Sequence, residues 1–171
     1  MDKHQEHIVT NFTAALDELS AVIASAGEDQ LDWQEKEGEW SIRQVLHHLT
    51  DDGNVFTFII ERALATPGAK VVFGGFPGNE PWANQLGFDQ RPVTQAWDLL
   101  LAQRKFLVEL VCHFPERWGN QVRYYNDAGE KQGEQSVERM LIMLTEHMGE
   151  HTSMIKNILT AHTPSFSISA S

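Results

Sequence analysis

His147 and His151 stand four residues apart near the end of the chain, in the run Glu146-His147-Met148-Gly149-Glu150-His151. Four residues is about one helical turn, so on a helix both imidazoles leave the same side. Neutral imidazoles placed this way are a common ligand pair for zinc or a similar divalent ion. The side they share decides between ligands and a solvated polar pair. Val137, Met140, Leu141, Leu144, Met148, Ile155, Ile158 and Leu159 recur at helical spacing and must face a core, and both histidines fall inside that stripe. A buried imidazole without a partner costs on the order of one to a few kcal/mol, so each is expected to be hydrogen-bonded or coordinated.

A third ligand has to come from another element, and His47 and His48 are adjacent candidates. The helical neighbours of His47 are Arg43, Gln44, Thr50 and Asp51, all polar, so His47 is expected on the surface. His48 lies in the row Ser41, Val45, His48, Asp52, Val55 and Ile59, at the edge of an apolar face, and is expected to be the third ligand. Asp52, one turn further on, is a candidate fourth ligand or an acceptor that fixes an imidazole tautomer. Glu150 is the other candidate for moving protons, although as the residue before His151 it projects about 100° away around the helix. His4, His7, His113 and His162 lie near helix ends or termini and are expected to be structural or exposed. Cys112 has only His113 beside it, pointing elsewhere on a helix, and reads as a small buried apolar residue.

Three neutral imidazoles leave a divalent ion its full charge and at least one open position, the arrangement of a catalytic site. Water bound there approaches a pKa of about 7, and a thiol is deprotonated outright. Rival motifs fit less well. His147 to His151 matches H-x-x-E-H, but the likeness stops at the pentapeptide. A di-iron bundle needs glutamates three residues before its histidines, where Leu144 and Met148 stand here. Gly74-Gly75-Phe76-Pro77-Gly78 lacks the lysine and hydroxyl of a phosphate loop and is expected to be flexible backbone over the site.

Four amphipathic segments are available to position these groups. Ile8, Phe12, Leu16, Leu19 and Ile23 mark a helix over 3–26, and Gly27 ends it. A second begins at Trp40-Ser41, where Ser41 and Gln44 form a capping box, and closes at Thr66-Pro67-Gly68. A third carries Val93, Trp97, Leu100, Leu101, Leu107, Val108 and Val111 up to Phe114-Pro115, and the last runs from about 136 to 160. Residues 66–92 show no usable periodicity and read as a long connection of the kind that often forms a binding loop, here expected to shape a substrate pocket over 66–91. Residues 121–125 and 130–132 flank the turn signal Asn126-Asp127-Ala128-Gly129, so a small hairpin is expected before the last helix. The fold class expected is therefore all-α, a four-helix bundle in one domain over 1–163, with 164–171 as a loosely held tail.

The formal charge of −11 opposes binding to nucleic acid, and no basic run overrides it locally. No apolar stretch is long enough to cross a bilayer, and the opening MDKHQEHIVTNF lacks the pattern of a signal peptide. With Cys112 the only cysteine, a cytoplasmic location is expected.

The stretch Trp40-Ser41-Ile42-Arg43-Gln44-Val45-Leu46-His47-His48-Leu49 resembles the W-S-x-x-x-x-L-x-H-L helix opening of the DinB superfamily, whose metal-binding bundles include the YfiT-like proteins. His147-x-x-x-His151 resembles that family's later signature, and the family's ligand in the first motif aligns with His48. The resemblance implies a four-helix bundle with a three-histidine site for nickel, zinc or a related ion, often in a homodimer. It also implies a small-molecule substrate. Some relatives are thiol S-transferases or isomerases that use low-molecular-weight thiols, and others are described as metal-dependent hydrolases. Asp52 departs from the pattern, since many relatives carry glutamate there. Thiol transfer is the first expectation, hydrolysis the second, and a non-catalytic metal- or ligand-binding protein of the same fold the third.

Overall fold

Ser41 sits in extended backbone, accepts a hydrogen bond from Gln44 N at 3.4 Å, and its own amide donates to Gln44 Oε1 at 2.9 Å. This reciprocal cap satisfies two amide groups that the first turn cannot pair internally, and so sets where the helix carrying His48 begins. Ser41 is itself buried. Ser41→Ala is expected to lower stability by about 1 kcal/mol, a fall of roughly 2–4 °C in Tm for a chain of this size. A thermal melt monitored by circular dichroism checks it.

In the computed structural model, which describes residues 1–72 and 80–162, this helix is α2 (Ile42–Ala65). The other long helices are α1 (Lys3–Ala24), α4 (Thr94–His113) and α5 (Val137–Ala161), with a short α3 (Glu80–Gln85) between α2 and α4. Asp2 caps α1 in the same reciprocal way, with Gln5 as its partner. α1 packs on α5, α5 on α2, α2 on α4, and α4 touches α1. The long helices thus form a four-membered ring in which α1 and α2, although consecutive, face each other across the diagonal.

The expected four-helix bundle is present, but a small sheet larger than the expected hairpin is added to it. The strands β1 (Ala69–Val72), β2 (Gln121–Tyr125) and β3 (Lys131–Ser136) form a small sheet in the order β1-β2-β3. β2 and β3 pair antiparallel as the expected hairpin, with β3 running beyond 132 to Ser136. β1 runs parallel to β2, Ala69 opposite Val122 and Val72 opposite Tyr125. The connection after α2 is therefore not without structure: it supplies an edge strand and α3. The glycine-rich run at 74–78 and the tail at 164–171 lie outside the described residues.

Two apolar clusters fill the bundle. One gathers Phe12, Phe56, Ile60, Leu107, Trp118 and Leu144 at the sheet end. The other gathers Leu19, Ile42, Leu46, Leu49, Leu100 and Ile155 at the opposite end. Between them lies a polar layer of His48, Thr50, Asp52, Gln103, Arg104 and Thr152, all buried. Buried polar groups destabilise unless they are paired, so this layer is where the fold sacrifices stability for chemistry.

Candidate metal centre

α2 delivers His48 and Asp52 to the middle of the bundle, and α5 delivers His147 and His151 from the facing side. His147 Nε2 lies 3.1 Å from His48 Nε2 and 3.0 Å from His151 Nε2. The rings stand edge to face, with centroids 4.5–5.0 Å apart. Behind them, His147 Nδ1 sits 3.1 Å from Asp52 Oδ2. An Nδ1–H donated to the carboxylate leaves His147 Nε2 with its lone pair facing the other two rings.

One lone pair on His147 Nε2 can accept a proton from His48 or from His151, but not from both. One of the two short N···N contacts would then remain unsatisfied, whereas a single cation satisfies all three nitrogens. The three residues also form the group of donors among the described residues that could hold a metal. Burial, with the nearby charge of His147 second, pushes His48 down to about 4 and His151 down to about 3. Both are neutral at physiological pH, the form that ligates. The donor set therefore fits a divalent ion. The outer nitrogens of His48 and His151 have no hydrogen-bond partner among the described residues, so Asp52 is the one carboxylate that steadies a ring from behind.

The structure thus brings His48, His147 and His151 together and places Asp52 behind His147, nearly buried and not solvated. Glu150, exposed on α5, lines the same cleft as the three histidines. Asp52→Asn is expected to weaken metal affinity by about 10- to 100-fold, because an amide can donate to Nδ1 and so stabilise the wrong tautomer. Competition with a chromogenic chelator measures it; unchanged affinity would mean that the carboxylate orients nothing.

His47 corrects the sequence reading. It is buried, at 2% exposure, its ring nitrogen is 3.2 Å from the Arg91 carbonyl, and it packs on Phe88 with centroids 5.5 Å apart. Burial pushes its pKa down, the Arg91 carbonyl opposing. The polar face of α2 is not a surface but a hydrogen-bonded interface. Arg43 reaches Asp32 and the Arg91 carbonyl, Thr50 donates to the Ala96 carbonyl, and Trp82 Nε1 donates to Asp51 at 3.0 Å.

The same docking holds the described part of 66–91, of which residues 73–79 lie outside the described ones. None of its described residues lines the cleft over the histidines; they pack against α2 elsewhere. The cleft, of about 910 Å³, is walled by the 35–40 segment and by α5. Trp40 stands edge-on to His48 with centroids 5.1 Å apart. Met154 and Ile158 follow His151 at three and seven residues, spacing that places them on its side of α5. That spacing was the signal for them in the sequence; Glu35 and Glu39, in an irregular segment, offered none.

Arg104 is the other group that sequence reasoning passed over. It is fully buried, its Nη2 lies 3.5 Å from the Leu49 carbonyl, and Nε and Nη1 have no hydrogen-bond partner among the described residues. Burial pulls its pKa down to about 10, and the charge of Asp52 pulls the other way. Cys112 is half-buried, with its thiol pushed up by burial, and stands apart from the cleft.

Comparison with known proteins agrees with the fold. Residues 11–155 match the family model of the DinB superfamily. The structure is similar to YfiT from Bacillus subtilis, described as a probable metal-dependent hydrolase with an unusual four-helix bundle topology. The TM-score is 0.72 at 17% identity, over 94% of this chain and 89% of that one. The sequence has no significant match among curated proteins. No helix among the described residues is long and apolar enough to cross a membrane.

Proposed function

Because the chain belongs to the DinB superfamily, we propose that it is a divalent-metal enzyme, with His48, His147 and His151 as ligands and hydrolysis of a small molecule as its reaction. The observation that carries this is the convergence of three imidazoles on the wall of an accessible cleft, His147 Nε2 lying 3.0–3.1 Å from the Nε2 atoms of the other two and all three donors within 4.8 Å of one another. A bound divalent ion, nickel or zinc, would supply Lewis acidity and acidify water or a thiol in the position the three ligands leave open.

The chain's own residues do the rest. Asp52 holds His147 in the tautomer that ligates. Trp40 blocks one edge of His48 and keeps bulk water from that side. The Glu150 carboxylate, in the cleft wall, accepts the proton released as the nucleophile attacks and returns it to the leaving group. The neutral ligand set adds no negative charge to weaken the ion as an electrophile.

The test is metal removal and return. Metal-free protein should hydrolyse none of a panel of esters and amides, and one equivalent of zinc or nickel should restore turnover. A parallel panel of thiols with electrophilic acceptors tests the transfer reaction that the family resemblance suggests. If metal-loaded protein turns over nothing in either panel, the enzymatic reading fails and a metal-dependent binding protein takes its place.

A further inference from the structure

Apart from the histidines, every ionisable side chain on the wall of the cleft is acidic. Glu35, Glu39, Asp52 and Glu150 line it, and neither lysine nor arginine does. Asp52 is occupied at the back by His147 and Glu150 adjoins His151, which leaves Glu35 and Glu39, both exposed on the 35–40 segment, toward the mouth. Glu35 and Glu150 have no ion pair among the described residues. Glu39 lies 3.8 Å from Lys36, but both side chains are at least half exposed, and such pairs neutralise little in water. The nearest strong cations are engaged elsewhere: Arg43 is held by Asp32, and Arg104 is buried in the polar layer outside the wall. The net charge of −11 adds a field of the same sign.

A divalent ion on the histidines would reverse the sign at the deep end only. The cleft would then be polarised, positive at the histidines and negative at the mouth. Between the two ends the wall is apolar, formed by Trp40, Ile158 and Met154, the last 41% exposed. A ligand complementary to this gradient carries an electron-rich group at one end, a cation at the other, and an apolar connection between.

We infer that the cleft selects small acyl compounds that end in an ammonium group, presenting a carbonyl to the histidine centre and the ammonium to Glu35 and Glu39. Anionic substrates, including acidic low-molecular-weight thiols, are disfavoured at the mouth. This rests on the reading of the three histidines as a metal centre, and the acidic residues alone would not carry it: the independent observation is the triad of converging imidazoles that fixes the opposite end.

The probes are three hydroxamates of similar length and equal metal-binding group: ε-aminocaproic hydroxamate, caproic hydroxamate and adipic monohydroxamate. Their free ends are positive, neutral and negative. Binding to the zinc-loaded protein is measured by calorimetry, with zinc content determined on the same samples. At low ionic strength the amino compound should bind roughly tenfold or more tighter than the carboxylate, the neutral one lying between. The difference should shrink several-fold near 1 M salt, where the screening length is about 3 Å. The double variant Glu35→Gln/Glu39→Gln should keep its zinc and lose much of the preference.

Zinc bound, with the three hydroxamates binding equally or the anion tightest, overturns the charge inference and leaves the metal centre standing. An unchanged preference in the double variant also overturns it. Zinc bound but no hydroxamate taken up overturns the accessible cleft. Absence of zinc uptake overturns the metal reading, and this inference falls with it.

Discussion

His48→Ala is expected to strip the protein of its divalent ion. His48 is the one ligand that α2 contributes; without it, the His147 and His151 pair on α5 must hold the ion alone. Loss of a carboxylate that merely orients a ligand costs about 10- to 100-fold in affinity, so loss of the ligand itself should cost more than about 100-fold. Metal measured after gel filtration should fall from near one equivalent per chain to background, and turnover should fall with it. His48→Gln, which preserves more of the volume, guards against a packing artefact, and the helical signal in circular dichroism should be retained in both. The adjacent substitution gives the contrast. His47→Ala leaves the three ligands in place but removes one of two donors to the Arg91 carbonyl, the other being Arg43, so it should keep the metal and lose about 1 kcal/mol of stability from that hydrogen bond.

Acid should destabilise the metal-free protein unusually steeply. Burial presses His48 from 6.5 to about 4 and His151 from 6.5 to about 3. As pH falls below 6.5 the unfolded chain takes up these protons before the folded one does, so proton binding favours unfolding. The contribution of the neutral imidazoles is full above about 6.5, declines through the interval, and is gone once pH passes the folded values. Each tenfold loss of proton affinity on folding corresponds to about 1.4 kcal/mol, so the two groups together amount to several kcal/mol, the repulsion from the neighbouring imidazoles included. Urea midpoints measured from pH 7.5 downward check it. The double variant His48→Ala/His151→Ala should show a flatter profile than the parent; equal slopes would mean that these imidazoles are not held neutral by burial. Saturating metal, binding only the folded state, should lift the upper end of the curve, by about 2.7 kcal/mol at a hundredfold excess over Kd.

These predictions turn on residues whose placement was legible to different degrees. His48 could be read because an apolar stripe on α2 announces a buried face, and a histidine at its edge must be satisfied there. His47 could not, because its face of α2 is buried by hydrogen bonds from Arg43, Thr50, Asp51 and the 82–96 region, and a polar interface has the same local pattern as a solvated surface. The signal for burial lay in residues far along the chain.

β1 failed for a related reason. Its four residues, Ala69-Lys70-Val71-Val72, become a strand by pairing with Gln121–Tyr125, and a segment so short carries no usable period of its own. α3, at six residues, is equally below the length at which helical spacing can be recognised. Arg104 did leave a trace. It stands four residues after Leu100 and three before Leu107, in the apolar register of α4, where a charge signals either a break in the stripe or a buried polar layer. The layer is the correct reading, and it lies level with the histidines because the two apolar clusters on either side stop there.

The cleft wall was the least legible part. Trp40 was visible as the residue before a helix cap, but its contact with His48 follows from the path of the 35–40 segment, which has neither period nor motif. By contrast the capping boxes at Asp2 and Ser41 act within four residues, so both helix starts could be read locally.

X-ray absorption spectroscopy of the zinc-loaded protein tests the three-histidine centre most directly. The expected result is one ion per chain, with three imidazole nitrogens at about 2.0–2.1 Å, lighter donors completing the shell and no sulfur, and a spectrum from His48→Ala that no longer contains three imidazoles. A zinc ion bound with fewer than three imidazoles in the parent protein, or a spectrum unchanged by His48→Ala, would contradict it.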